Sequence, residues 1–227
     1  MALTLDGVPV IYFNSNALPP YHMLSNFAQL DGGLVLRPTD LVPALLVLCP
    51  NLAEWLPPMG AVFSSSEALW QALGALDKLT FLDFTVFGRF GTLEPNAFRF
   101  FYADVDQAIR KCAYWSKKRN VGILAKLASN PRYWVRLRLQ GHMRAGPAPG
   151  YTRAVEAEAW HCILALKFRQ NPDVRLVLES TRGSVLVEHD RGAGQRAVHW
   201  GGLVVGGALV GDNAMGAYLT FVRDHCL

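Results

Sequence analysis

The strongest constraint on this fold lies between residues 153 and 170. There the chain runs without proline or glycine, and Val155, Ala159, Ile163 and Leu166 recur at helical spacing. One stripe of apolar side chains at that period predicts a long helix over Arg153 to Gln170 with a core-facing side. Its limits are written in the neighbouring residues. Gly146 to Gly150 forms a Pro/Gly linker before it, and Asn171-Pro172 closes it and opens the next helix, with Asn as N-cap and Pro at the first helical position.

The N-terminal third is cut into short pieces by proline. A strand is predicted over Val8 to Phe13, at a sheet edge because Pro9 lacks a donor near its start. Asn14 to Tyr21, with Pro19 and Pro20, is loop. Leu34 to Leu36 follows the Asp31-Gly32-Gly33 turn as a short strand. Thr39 to Leu48 reads as a helix carrying Pro43 in its first turn, and Pro57, Pro58 and Gly60 make another loop. Ser64-Ser65-Ser66-Glu67 then opens a helix, with Ser64 as N-cap and Glu67 completing a capping box at N3; Leu69, Leu73 and Leu76 share its inner face. Phe81 to Phe101 fits either element. Helices are predicted over 104–118 and 121–128. Tyr133 to Leu139 alternates over its second half, which predicts a half-buried strand. A strand at Val185 to Val187, a glycine-rich loop over Gly192 to Gly211 and a last helix over 212–226 complete an α+β, mostly helical chain.

With 227 residues, 51% of them hydrophobic and 18% charged, the chain suits one large domain or one domain with an insertion, and the composition argues against disorder. No run approaches the roughly 20 apolar residues a membrane span needs, and no basic, then apolar, leader opens the sequence. The cytoplasm is the expected compartment, with no membrane partner. The four cysteines stand far apart, so free thiols are expected and neither a metal site nor a cofactor is.

Charge is segregated. From Gln107 to Val155 there is no Asp or Glu, yet eleven of the 22 Lys and Arg residues fall there, leaving eleven basic against 18 acidic side chains elsewhere. Such a stretch reads either as a face for phosphates or nucleic acid, with Lys117, Lys118 and Arg119 at its centre, or as a solvated surface whose carboxylate partners come from other segments.

Three blocks carry residues suited to chemistry. Ser25-Asn26-Phe27 offers an amide fork beside a stacking face, or a turn in which Asn26 bonds its own backbone. Glu67, Trp70 and Gln71 share one helix face. There a carboxylate beside an indole is suited to acid–base work, unless Glu67 is simply a cap. A capping role would survive Glu67→Gln, because Gln also serves at N3. The third block is C-terminal: Glu188-His189-Asp190, then His199-Trp200-Gly201-Gly202, then Asp212-Asn213 at a helix start. It combines carboxylates, an aromatic and open backbone suited to a sugar or phosphate.

Together these blocks resemble the NADAR (YbiA-like) family. "VIYFNSN" followed by "YHMLSNFA" is similar to its strand and Phe-Ser-Asn-Phe loop, with Leu24 in place of the first Phe. "SSEALWQA" at 65–72 is similar to its Ser-Glu-His-Tyr-Phe-Gln-Ala helix start. "ALKFRQNPDVRLVLESTRGSVLVEHD" at 165–190 and "HWGG" followed by "GDNAMGAYLTFVR" are similar to its later segments. The resemblance spans about residues 8–78 and 151–225. It implies one NADAR-like domain over 1–227 with a basic insertion at 80–150, and N-glycosidase chemistry without a cofactor. The implied substrate is ADP-ribosylated guanine in nucleic acid or nucleotide, or a phosphorylated ribosylamino intermediate of riboflavin synthesis. A catalytically inactive NAD- or ADP-ribose-binding module is the non-enzymatic alternative. The resemblance implies Glu67 as the catalytic residue. It implies Ser25, Asn26, Phe27, Trp70, Gln71, Glu188, Trp200, Gly201 and Asn213 around the substrate; Lys117, Lys118 and Arg119, which it does not cover, are expected on phosphate from the charge of the basic stretch. Where the family carries His-Tyr, Lys, Lys and Asp, this chain has Ala68-Leu69, Gly74, Glu156 and Ala197. A covalent lysine, if the chemistry uses one, would have to come from Lys117, Lys118 or Lys126.

Overall fold

The computed structural model describes residues 3–14, 17, 19–90, 125–126, 128–190, 193 and 198–227, with only the backbone of Val135 and Arg136. The predicted helix over 104–118 lies outside these residues, as do 121–124 and the part of the aromatic run beyond Phe90. In chain order the elements are β1 (Thr4–Leu5), β2 (Val8–Phe13), β3 (Leu34–Leu36), α1 (Pro43–Leu48), α2 (Leu52–Trp55), β4 (Ala61–Phe63), α3 (Ser66–Ala72), α4 (Lys78–Leu82), α5 (Pro131–Leu137), α6 (Arg153–Gln170), α7 (Pro172–Glu179), β5 (Val185–Glu188), β6 (Leu203–Val205), β7 (Ala208–Val210) and α8 (Ala214–His225). Helices with small sheets make this a mixed α and β chain. Among the described residues, no helix is long and apolar enough to cross a membrane.

Two compact units result: Met1–Ser25 with Asn171–Leu227, and Asn26–Gln170. In the first, β2 lies between β1 and β5. It is therefore not the edge strand that Pro9 suggested. The parallel register with β5 begins at Val10, one residue past the proline, so the missing donor falls outside that pairing. The tight β1–β2 connection uses Asp6 and Gly7, both at positive φ (51° and 80°), which matches strand twist in a two-residue hairpin. Helix α8 packs on β5. Gly216 permits this: a Cβ there would lie 2.2 Å from the Leu186 carbonyl oxygen. The glycine-rich stretch is not all loop. Gly206 and Gly207, at φ 58° and 85°, turn β6 into β7 as an antiparallel hairpin. Buried Arg223 closes the unit from α8, donating from Nη1 to the Thr181 and Ser184 carbonyls at 2.8 and 3.2 Å.

The second unit is organised by α6, which spans the range its periodicity predicts. Its stripe residues Ala159 and Ile163 are fully buried, and from Ile163 to Phe168 every residue is buried, so neighbours wrap the second half all round. Helices α1 and α3 and strand β3 pack on it. Gln170 at its end acts as a piece of strand: its Oε1 accepts from the Val35 N–H at 2.7 Å and its Nε2 donates to the Val35 carbonyl at 2.8 Å, closing the free edge of β3. Phe63 and Phe81 meet edge-on at 5.7 Å in the core beside Trp55. Fully burying one such side chain stabilises by roughly 1.5–3 kcal/mol.

Three local expectations fail here. The single helix over Thr39 to Leu48 is instead a 3-10 turn, Pro38–Asp40, followed by α1, because Pro43 forces Val42 into an extended conformation (φ −112°, ψ 157°). Tyr133 to Leu139 is not a strand. It is mostly α5, where Asn130 Oδ1 accepts from the Arg132 N–H at 3.1 Å and Pro131 takes the first helical position. Ser64 is not the cap of α3. Ser65 is, its Oγ accepting from the Ala68 N–H at 3.1 Å, which moves Glu67 to N2 and leaves Ala68 at N3. There is no capping box. The helix also ends at Ala72, leaving Leu76 about half exposed.

Asp77 caps α4, accepting from the Thr80 N–H at 2.9 Å and Oγ1 at 3.0 Å, with His142 Nδ1 at 2.9 Å. Burial alone would raise its pKa; the Thr80 and His142 donors outweigh it and hold the carboxyl below its ordinary value. A depressed carboxylate stabilises the fold above the unfolded-state pKa of about 4 and loses that contribution as pH falls through the lower folded value. Asp77→Ala is expected to cost about 1 kcal/mol at pH 7. The difference from wild type should shrink in urea melts below about pH 4. A difference independent of pH would remove the carboxylate from the account.

Candidate active site

Glu67 is the centre of the site in the Asn26–Gln170 unit. Its side chain is 2% exposed, and three donors surround its carboxylate among the described residues. Asn26 Nδ2 donates to Oε2 at 2.5 Å, Gln71 Nε2 donates to Oε1 at 2.6 Å, and Lys126 Nζ stands 3.4 Å from Oε1. The arrangement depends on the fold around the start of α3. The Asn26 carbonyl accepts the Glu67 N–H at 2.9 Å and the Ser66 hydroxyl at 3.2 Å, so the loop carrying Asn26 is fixed to the first turn of the helix. Gln71 follows one turn later on the same face. Neither alternative reading, the self-bonded Asn26 turn or the Glu67 capping box, describes what these side chains do. Asn26 Oδ1 is buried with no hydrogen-bond partner among the described residues. A buried acceptor in that state is ready for an incoming N–H.

Trp70 stacks on buried Trp160 of α6, rings 4.8 Å apart and 24° from parallel. Trp70 and Gln71 both line a cleft of about 190 Å³ whose other walls include Gly74, Ser129, Arg144 and Tyr151. Tyr151 also donates its hydroxyl to Glu156, which pairs with Arg153 at 3.2 Å. Glu156 is thus a buried acceptor.

The C-terminal residues form their own group in the other unit. Asn213 sits in the left-handed region (φ 50°) before α8. Its Oδ1 accepts from the Glu188 N–H at 3.0 Å and its Nδ2 donates to the Leu186 carbonyl at 2.8 Å. Both ends of the amide are used on β5, so Asn213 positions backbone. Gly201 abuts Glu188, where a Cβ would lie 2.6 Å from the Glu188 carbonyl oxygen, and the Gly202 N–H donates to that same oxygen at 2.8 Å. Trp200 is half-exposed beside His199, ring centroids 4.7 Å apart, and His199 reaches Asp212 at 3.1 Å. Ser25 is fully buried in this unit; Phe27, in the other, is half-buried. Lys117, Lys118 and Arg119 lie outside the described residues.

Sequence spacing did not reveal Trp160, Tyr151 or Arg144. Trp160 follows Ala159 on α6, outside the single apolar stripe that the helical spacing defines, and is buried. Burial pushes the Cys49 and Cys162 thiols up to about 11, leaving them protonated and unreactive at neutral pH. Among the described residues, no three His, Cys, Asp or Glu side chains gather in a way that could hold a metal. Comparisons with protein-family models, with curated proteins and with solved structures gave no match.

Proposed function

We propose that this chain is an N-glycoside hydrolase of NADAR-like fold and cytoplasmic location that cuts a ribose–nitrogen bond, with ADP-ribosylated guanine as its substrate. One observation supports this above the others: a buried carboxylate, Glu67, shared by two amides and a partly exposed lysine, one helical turn from an aromatic-lined cleft. Lys126, about half exposed, can reach solvent and a ligand while staying beside Glu67. The chemistry needs no other group. Glu67 takes a proton from the Lys126 ammonium; the freed amine attacks ribose C1; the C1–N bond breaks and Glu67 returns the proton to the leaving base nitrogen. The sugar opens to an imine on Lys126, and water then releases ADP-ribose and regenerates the amine. Asn26 Oδ1 suits an N–H of the base, and Trp70 the face of the sugar.

The experiment offers the protein two substrates, ADP-ribosylated guanine in DNA and a ribosylamino-pyrimidine phosphate, and scores the freed base. Guanine release is the expected result. Release of the pyrimidine alone favours the small-molecule reading, and ADP-ribose binding without release favours an inactive module. Lys126→Arg keeps the charge beside Glu67 but cannot form an imine, so turnover should fall by roughly 10²-fold or more. Unchanged turnover in that variant would leave direct attack by water as the route.

A further inference from the structure

Arg144 lines the cleft. Its backbone N–H donates to the Gly74 carbonyl at 2.9 Å, and the preceding Met143 is buried and bridges to Ala75, so the residue is fixed where it enters the wall. Its guanidinium makes no hydrogen bond or ion pair among the described residues. Three carboxylates of the same unit have other partners: Glu67 has Asn26, Gln71 and Lys126, Glu156 has Tyr151 and Arg153, and Asp77 has Thr80 and His142. Leu48, Leu73 and Ala148 supply apolar wall around it. A half-buried guanidinium against apolar surface is weakly hydrated and presents a fork that suits a phosphate. Trp70, backed by Trp160, gives the same cleft a flat apolar face.

We infer that Arg144 and Trp70 form a subsite for the phosphorylated ribose end of the substrate, with the phosphate on the Arg144 fork and the sugar against the indole. The inference rests on the glycosidase reading for its substrate class, and it adds a residue that the family resemblance does not cover, since Arg144 falls within the 80–150 segment. The cleft, of about 190 Å³, has room for a ribose phosphate.

The test is calorimetric titration of ribose 5-phosphate into wild type, Arg144→Gln and Arg144→Lys, with ribose as the uncharged control and the melting temperature of each variant recorded. Wild type is expected to bind ribose 5-phosphate and not ribose. Arg144→Gln should bind it roughly tenfold to a hundredfold more weakly, the range of one charge-assisted hydrogen bond, with little change in melting. Arg144→Lys should fall between, having charge without the fork. Equal affinity in wild type and Arg144→Gln, or no binding to wild type at millimolar ligand, overturns the subsite. The two claims separate cleanly. Arg144-dependent binding in a protein that frees no base would retain the subsite and end the glycosidase reading. Base release with an unchanged KM in Arg144→Gln would do the reverse.

Discussion

Glu67→Gln is expected to lower base release by roughly 10²–10⁴-fold, the usual span for a lost general acid–base group. The same substitution should also lower the melting temperature, which separates this account from a capping role. The amide donors of Asn26 and Gln71 both point at the carboxylate and are buried with it. A Gln at 67 offers one oxygen and an NH₂ group, so one donor loses its acceptor, at about 1–3 kcal/mol. In a chain of this length that corresponds to a fall of about 2–12 °C. A helix cap at N3 would tolerate Gln and show no fall. Glu67 at N2, with Ser65 as the cap, leaves nothing for the Gln side chain to cap. Loss of turnover with a modest fall in melting is the expected pair of results. An unchanged rate would remove Glu67 from the chemistry, and an unchanged melting temperature would contradict the hydrogen-bond geometry.

The largest effect on stability is expected from Gly216→Ala. Alanine normally improves a helix interior by up to about 1 kcal/mol over glycine. Here the added methyl would sit 2.2 Å from the Leu186 carbonyl oxygen and 2.4 Å from Asn213 Nδ2, one backbone and one side chain already tied to that backbone. Neither can give way without moving α8 off β5. A cost of at least about 3 kcal/mol follows, in the tail of single-substitution effects, and a melting temperature lower by roughly 6–12 °C. Chemical denaturation of the purified variant measures it. A neutral or stabilising result would mean that α8 and β5 do not approach as closely as described.

What could be read from the sequence depends on how far apart the partners lie. The α6 helix was legible because its apolar residues recur within one element and its ends carry strong signals, Gly150 before and Asn171-Pro172 after. The β3 strand after the Asp31-Gly32-Gly33 turn is local in the same way. Where the deciding partner is distant, the reading failed. The central place of β2 depends on β5, whose Val185 pairs with Val10 across most of the chain. Alternation in Tyr133 to Leu139 predicts a strand, whereas Asn130 and Pro131 start a helix there. Ser64, Ser65 and Ser66 are equivalent as letters; only the backbone around Glu67, fixed by the Asn26 carbonyl, selects Ser65 as the cap. Glu67 and Gln71 share a helix face by their spacing and Asn26 stands in a separate block; the hydrogen bond joining Asn26 to Glu67 crosses 41 residues and no spacing rule foretells it. Lys126 is the clearest case. In sequence it is one cation among eleven in an acid-free stretch, and only folding sets it beside a carboxylate.

The pairing of Lys126 with Glu67 leads to one decisive measurement. Wild type is incubated with an ADP-ribosylated guanine oligonucleotide, sodium cyanoborohydride is added during turnover, and the protein is digested and mapped by mass spectrometry. The account predicts a reduced ADP-ribosyl adduct concentrated on Lys126 and absent from Glu67→Gln. Turnover with no adduct at Lys126, or label spread evenly over surface lysines in both proteins, would contradict it.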